Sequence, residues 1–368
     1  MIGSPAVVAA AVRDLVDTEV AKAAKRVDED GVHPVEVLGR LGLAGAFRSH
    51  IEGGKQPGLD IAIATTAAIS EACLTTGFCT WCQHSAAWLL VNSDNVELCS
   101  RLLPDVANGT VMAGVGLANP VKAMSGTEQF KLRAEPVSGG YLVSGAQPWI
   151  SNMDEGHWFA TVFAHVADPS HRIMAMVRCG QPGVTIRPNV HMTSMRGSAT
   201  VTALFKEAFI PTGQVLADPA EDLLARAYPG IVLLQTGMAL GVIGASVAMM
   251  REFDAGQSES NRYLPRHPDD FAADRDQLRD RITRLTETPF DDSPGYLRSV
   301  FETRFKASEL TLAATRMAML RAGLPAFMQG SPVDRRMREG NFVATITPSM
   351  RFLARALATM GRRTPWPT

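Results

Sequence analysis

The residues best suited to chemistry sit between two β-type runs, Tyr141 to Gln147 and His157 to Ala164, which flank Trp149-Ile150-Ser151-Asn152 and a polar turn from Met153 to Gly156. In the first run Leu142, Ser144 and Ala146 alternate with Tyr141, Val143 and Gly145, which is the period of a strand. An indole, a hydroxyl and free backbone amides are therefore expected at the end of a sheet. Such a group suits a flat, electron-rich ring that stacks on one side and takes hydrogen bonds at its edge. For these residues alone, the alternative is a hairpin with a packed tryptophan. A second set, Trp81, Gln83 and His84, falls on a helical run. A histidine there is either a hydrogen-bonding group in a pocket or a satisfied core residue.

Cys79-Thr80-Trp81-Cys82, with Cys73 and His84 close by, puts two thiols on one helix face. The sequence holds no second ligand pair with zinc spacing and no thioredoxin-like βαβ pattern, so packed thiols and no metal are expected. Most of His157, His165, His191 and His267 are expected to face solvent. No Gly-x-Ser-x-Gly, His-Glu-x-x-His or P-loop pattern occurs, which sets aside hydrolase and nucleotide-triphosphate chemistry. Nor does a Gly-x-Gly-x-x-Gly join a strand to a helix, so a Rossmann site is unsupported.

A chain of 368 residues is long enough for two or three domains, and 46% hydrophobic with 20% charged residues is the balance of a soluble globular protein. Lys+Arg is 36 against Asp+Glu 37, and this net charge of -1 gives no electrostatic case for nucleic acid or an anionic membrane. The N-terminal run lacks a basic start followed by a long apolar core, so no signal peptide is expected. An odd set of five cysteines agrees with reduced thiols and a cytoplasmic location.

Three blocks position the candidate residues. Residues 1–111 carry helical patterns: Ala6 to Val27, a helix after Pro34 ending at Gly53-Gly54, and a largely apolar helix pair from Ile61 to Val91. Residues 112–215 hold short β-type runs punctuated by Gly, Pro, Asn and Asp, as in an antiparallel sheet or barrel-like domain. Residues 216–368 return to helices. Ile231 to Met250 has no charge and contains Gly237-x-x-x-Gly241, so a membrane span is one reading of it. Gln235, Thr236, Ser246 and the absence of an aromatic belt favour a helix buried on all sides of a bundle, with glycines admitting close neighbours.

Gly145-Ala146-Gln147-Pro148-Trp149-Ile150-Ser151-Asn152 resembles the flavin-contacting strand of the acyl-CoA dehydrogenase family, Gly-x-Lys-x-Trp-Ile-Thr/Ser-Asn. The helix–β–helix order is also the family's. Met195-Arg196-Gly197-Ser198, Phe271 with Leu278 and Asp280, Phe305 to Glu309, and Pro332 to Arg335 resemble further family segments, over nearly the whole chain. The resemblance implies an α+β fold: an N-terminal helical domain, a central antiparallel β domain and a C-terminal helical bundle. It implies FAD, with FMN as alternative, and a homodimer or homotetramer formed through the bundle. It places flavin contacts at Leu117, Ala118, Trp149, Ile150, Ser151, Arg262 and Gly323, and a substrate pocket at Trp81, Gln83 and Ser125.

The departures bear on the reaction. The family's Thr-Glu-Pro-Gly-x-Gly-Ser-Asp loop is Ala118-Asn119-Pro120-Val121-Lys122-Ala123-Met124-Ser125, and its Arg-x-x-Phe-Gly is Asn261-Arg262-Tyr263-Leu264-Pro265. The usual catalytic Glu aligns to Thr347. The alternative position, on the long helix after the β domain, falls at Ile231 and its apolar neighbours. Three readings follow. One is α,β-dehydrogenation of an acyl thioester, with hydride transfer to FAD, an external electron acceptor and a base not located. Another is the family's two-component monooxygenase branch, fed reduced flavin by a reductase, in which His84 acts as hydrogen-bond donor. The last is a silent subunit paired with an active homologue. Bulky Trp81, Gln83 and His84 argue against a long straight acyl chain.

Overall fold

Residues 8–49, 58–188 and 192–360 are described by the computed structural model; Gly53, Gly54 and His191 lie outside them. Val12, Val16, Val20, Ala24 and Val27 are buried at a spacing near four, a repeat that drifts around an ideal α-helix. The chain meets it with α1 (Ala10–Leu15), a π-helical segment (Val16–Val20) and α2 (Ala21–Glu29). Helix α3 (Val35–Leu43) follows Pro34. The apolar run divides at the extended Cys73 into α4 (Leu59–Ala72) and α5 (Leu74–Asn92), and α5 buries every residue but Val91. Helix α6 (Val96–Asn108) is capped by the Asn95 side chain and stopped by left-handed Gly109.

The sheet contains β1 (Ala113–Gly116), β2 (Leu132–Val137), β3 (Gly140–Ile150), β4 (Trp158–His165), β5 (Arg172–Arg178), β6 (Val184–Pro188), β7 (Val201–Pro211) and β8 (Val215–Ala217). Its order is β6-β7-β3-β2-β4-β5-β8, with β1 on β4. Two findings refine the sequence reading. Pairing is antiparallel-rich but not uniform, because β1 and β2 both run parallel to β4. The runs flanking Trp149 also do not form a hairpin, since β2 lies between β3 and β4. The first expected strand stops at Gly116, and Ala118–Met124 coils into helix α7 instead of a loop.

The remaining helices are α8 (Ala220–Leu234), α9 (Thr236–Asn261), α10 (Pro268–Thr286), α11 (Pro294–Ala322), α12 (Pro332–Thr345) and α13 (Met350–Thr359). The uncharged run from Ile231 spans two helices that meet at Gln235. Ala220–Gly256 is long and apolar enough to cross a membrane by length and composition, but its apolar window is 94% buried inside the chain. Highly charged α10 still turns Phe271, Leu278 and Ile282 into the core.

Glycine decides how closely α4 and α9 approach. A Cβ on Gly237 would lie 2.6 Å from the Ile63 carbonyl, and one on Gly241 would lie 2.4 Å from the Ala67 carbonyl and 2.6 Å from Ser70 Cβ. Gly241→Ala is therefore expected to destabilise the chain by about 1–3 kcal/mol through overpacking. Urea denaturation measures it, and an unchanged midpoint contradicts this account of the α4–α9 contact.

Candidate active site

Where α5, β1, α7, the end of β3, α8 and the segment after α12 converge, they enclose a cavity of about 450 Å³. That is within the usual range for small-molecule sites, about 300–1,000 Å³. One wall is aromatic: Trp81 stacks on Phe78 (5.7 Å between centroids, 10° between planes), and Phe78 meets Phe342 edge-on at 4.8 Å. Trp81 Nε1 donates to the Ile231 carbonyl at 3.3 Å, tying α5 to α8. Opposite chemistry comes from β3, where Trp149 and Ser151 border the same space.

The backbone there is strained. Trp149 and Asn152 hold φ of 63° and 68°, and a left-handed non-glycine residue costs about 1–3 kcal/mol unless its surroundings over-determine it. Asn152 supplies that determination. Its N–H donates to the Ser198 carbonyl at 2.8 Å, and its side-chain amide donates to the Ala113 carbonyl at 3.0 Å. His33 Nε2 donates to its Oδ1 at 2.9 Å. Gly114 lets the strands close here, because a Cβ on it would lie 2.6 Å from the Ser151 carbonyl. As a result the Trp149 indole stays 56% exposed while Ser151 is 5% exposed.

The Ser151 hydroxyl has a fixed polarity. Ser198 Oγ donates to the Met195 carbonyl at 2.6 Å, which uses its one proton. The 2.7 Å contact between Ser198 and Thr200 is then donated by Thr200, and the 2.7 Å contact between Thr200 and Ser151 is donated by Ser151. Ser151 thus offers only lone pairs to a ligand. An exposed indole two residues from such an acceptor, beside apolar walls, fits the ring end of a flavin.

Residues 6–110 match the family described as "Acyl-CoA dehydrogenase, N-terminal domain". The chain is similar to the probable acyl-CoA dehydrogenase YngJ of Bacillus subtilis, 24% identical over 351 residues, which is 90% of this chain and 91% of that protein. Its fold matches butyryl-CoA dehydrogenase of Megasphaera elsdenii with a TM-score of 0.83 at 16% identity, over 96% of both chains. It also matches the dibenzothiophene monooxygenase TdsC of Paenibacillus sp. A11-2 with a TM-score of 0.80 at 14% identity, over 97% of this chain and 98% of that one. TdsC has in addition been solved bound to FMN. Residues 6–110 thus carry the acyl-CoA dehydrogenase N-terminal domain, and nearly the whole chain has the fold shared by acyl-CoA dehydrogenases and the monooxygenase TdsC, likenesses that support a flavin-dependent oxidoreductase.

Of the residues that this superfamily resemblance singles out, Leu117, Ala118, Trp149, Ser151, Trp81 and Thr347 come together around the cavity, and so does Ile231. The two positions expected for a carboxylate base, Thr347 and Ile231, thus border one space, and no Asp or Glu is among its described lining residues. Ile150 is fully buried in the sheet core, so only its backbone is near the site. Gln83 faces away from the cavity. Its amide donates to the Val106 and Val111 carbonyls at 2.7 and 2.8 Å, and its oxygen accepts from Ala113 N–H at 2.8 Å. His84 is buried edge-on to Phe47, 5.7 Å between ring centroids, on the side of the N-terminal helices. Ser125 bonds the Lys122 carbonyl at 2.8 Å, at the end of α7. Arg262 is exposed and folds over Tyr263, 4.8 Å from its centroid, and Gly323 (φ 65°) ends α11 outside the cavity. Cys79 and Cys82 are unpaired buried thiols, each pushed up by burial, and no metal-ligand cluster is found among the described residues.

Sequence reasoning did not single out Lys122, Met192, Thr200, Tyr228 or Phe342, which also border the cavity. Thr200 lies two residues after Ser198 on the approach to β7, a position whose meaning depends on β3 being its sheet neighbour. Nor are all the histidines solvent-facing. His33 and His157 are half-buried beside Asn152, and burial holds both imidazoles below their ordinary pKa. The unfolded chain therefore takes up protons that the folded chain refuses. This contribution to stability is complete above the ordinary histidine pKa, about 6.5, and is lost as pH falls through it. Melting temperature is expected to drop on acidification from about pH 7 to 5.5, with a shallower slope in His33→Gln, which retains a donor for Asn152. An unaltered slope in both His33→Gln and His157→Gln contradicts the assignment.

Proposed function

We propose that the chain binds a flavin against Trp149 and Ser151 and oxygenates a compact, ring-bearing small molecule, with the flavin supplied reduced by a separate reductase. The observation that carries this reading is the lack of an acid in the chamber at either Thr347 or Ile231. A bound flavin supplies two-electron acceptance or, when reduced, activation of oxygen. Acceptance from an acyl thioester also requires removal of an α-proton, for which a positioned base is worth ~10²–10⁴ in rate. The Thr347 hydroxyl cannot act as that base without one of its own. Oxygen transfer needs instead an enclosed space that excludes water, which Phe78, Trp81 and Phe342 provide.

Ser151 supports the same assignment. Its lone pairs complement an N–H at the flavin edge, as the reduced ring has at N5, and not the bare nitrogen of the oxidised ring. FAD follows from the resemblance; the alternative, FMN, draws support from FMN-bound TdsC. Exposed Leu324, Phe327 and Met328 after α11 support assembly as a homodimer or homotetramer through the bundle. Unpaired thiols suit a reducing cytoplasm. The second reading, acyl-thioester dehydrogenation with electrons passed to an external acceptor, is favoured by the likeness to YngJ over nine-tenths of the chain.

Two measurements separate these readings. Anaerobic addition of an acyl-CoA panel to flavin-loaded protein is expected to leave the flavin colour unchanged, with product appearing only with reductase and oxygen; anaerobic bleaching establishes dehydrogenation instead. In anaerobic flavin titrations, Ser151→Ala is expected to weaken the reduced form selectively by about 0.5–1.5 kcal/mol. Thr200→Val, which frees the Ser151 proton, is expected to tighten the oxidised form. Equal effects on both redox states refute the polarity argument.

A further inference from the structure

Arg304 lies within α11 and is fully buried. Its Nε donates to Gln235 Oε1 at 2.9 Å, its Nη2 to the Val343 carbonyl at 2.6 Å, and its Nη1 to Ser308 Oγ. All three acceptors are neutral, and no described carboxylate lies within ion-pair distance of the guanidinium. The other deeply buried arginines differ: Arg321 has Asp254 at 3.3 Å, and Arg336 has Glu339 at 2.5 Å. A buried charge without a counter-charge is costly, and any anion that approaches it through low dielectric lowers that cost.

The chamber is the space such an anion can enter. Gln235, which accepts from Arg304, donates its amide N–H to the Thr347 carbonyl at 2.8 Å, and Thr347 borders the cavity. Val343 follows Phe342 and precedes Thr345, both also at the cavity. Tyr228, another cavity residue, is an ionisable neighbour of Arg304, and burial keeps its phenol protonated and neutral. At the mouth, Lys122 is matched by Glu128 at 3.0 Å. The Cys82 thiol is kept neutral by burial. Among the described residues around the chamber, Arg304 is thus a positive charge without a counter-charge, behind the wall formed by Thr347 and Tyr228.

We propose that Arg304 is a specificity-determining, positioning residue that makes the chamber prefer ligands carrying a negative charge on a compact ring, such as phenolates, over their neutral forms. The inference concerns the substrate class of the site proposed above but needs no flavin. Burial also lowers the Arg304 pKa to about 10, which leaves it charged at neutral pH.

The test uses 4-nitrophenol, whose two protonation states differ in colour, with the full chain and no flavin. Occupancy of the chamber is controlled by Ile231→Trp, which fills it. The wild type is expected to lower the apparent pKa of bound nitrophenol by about one unit, a tenfold preference for phenolate. The shift should persist in molar salt, because a buried charge is screened little. Arg304→Met should abolish the shift, whereas Lys122→Met should leave it intact. The Met variant leaves the Gln235, Ser308 and Val343 acceptors without this donor and is expected to cost stability. If the Met variant does not fold, the salt dependence in wild type decides. Failure to bind, binding without a lowered pKa, loss of the shift in salt, or its survival in Arg304→Met overturns the proposal. Flavin affinity and turnover are separate readouts, so the oxidoreductase reading can stand when this one falls.

Discussion

The site depends on Asn152. Its side chain and backbone link β1, the turn before β7 and His33 from the N-terminal helices, and so hold the end of β3 in a conformation that a free chain avoids. The strain stored at Trp149 and Asn152 is offset only while those partners remain. In return the indole is turned out of the sheet core toward the cavity, and Ser151 is drawn against Thr200. Gln83 supports the same junction from α5, joining the Val106 and Val111 carbonyls to β1 and accepting from Asn152 Nδ2 at 3.3 Å.

Helices complete the chamber from the other side. The uncharged α5 and the α8–α9 pair bring aromatic and aliphatic walls without any carboxylate, and glycine contacts with α4 fix their approach. The polar content of this half is concentrated in Arg304, Gln235 and the Thr347 carbonyl. A polar strand edge therefore faces an apolar helical wall with one charge behind it. The chamber can orient and desolvate a ring, but no carboxylate that could remove a proton is among its described lining residues.

The sequence showed this site unevenly. Trp149 and Ser151 were legible because a local β period and a short motif place them together, and the helix–β–helix order followed from hydrophobic periodicity alone. Thr347 and Ile231 were legible only through the resemblance, since 116 positions separate them and nothing local marks either. Gln83 and His84 were misleading for a physical reason: a helix buried on nearly all sides has no polar face to show which side chains line a pocket. Gln83 instead satisfies backbone groups, and His84 packs on Phe47. Arg304 sits in a segment that looks amphipathic and charged. That its partners are all neutral becomes visible only when Gln235, Ser308 and Val343 come together in space.

The central claim is that a flavin ring lies in this chamber with its edge at Ser151. A crystal structure of the chain soaked anaerobically with reduced flavin tests it most directly. The account predicts the tricyclic ring beside the Trp149 indole, with N5 within hydrogen-bonding distance of Ser151 Oγ and the substrate space bounded by Trp81, Ile231 and Thr347. A ring bound elsewhere, or an indole at 149 folded back into the sheet core, contradicts it.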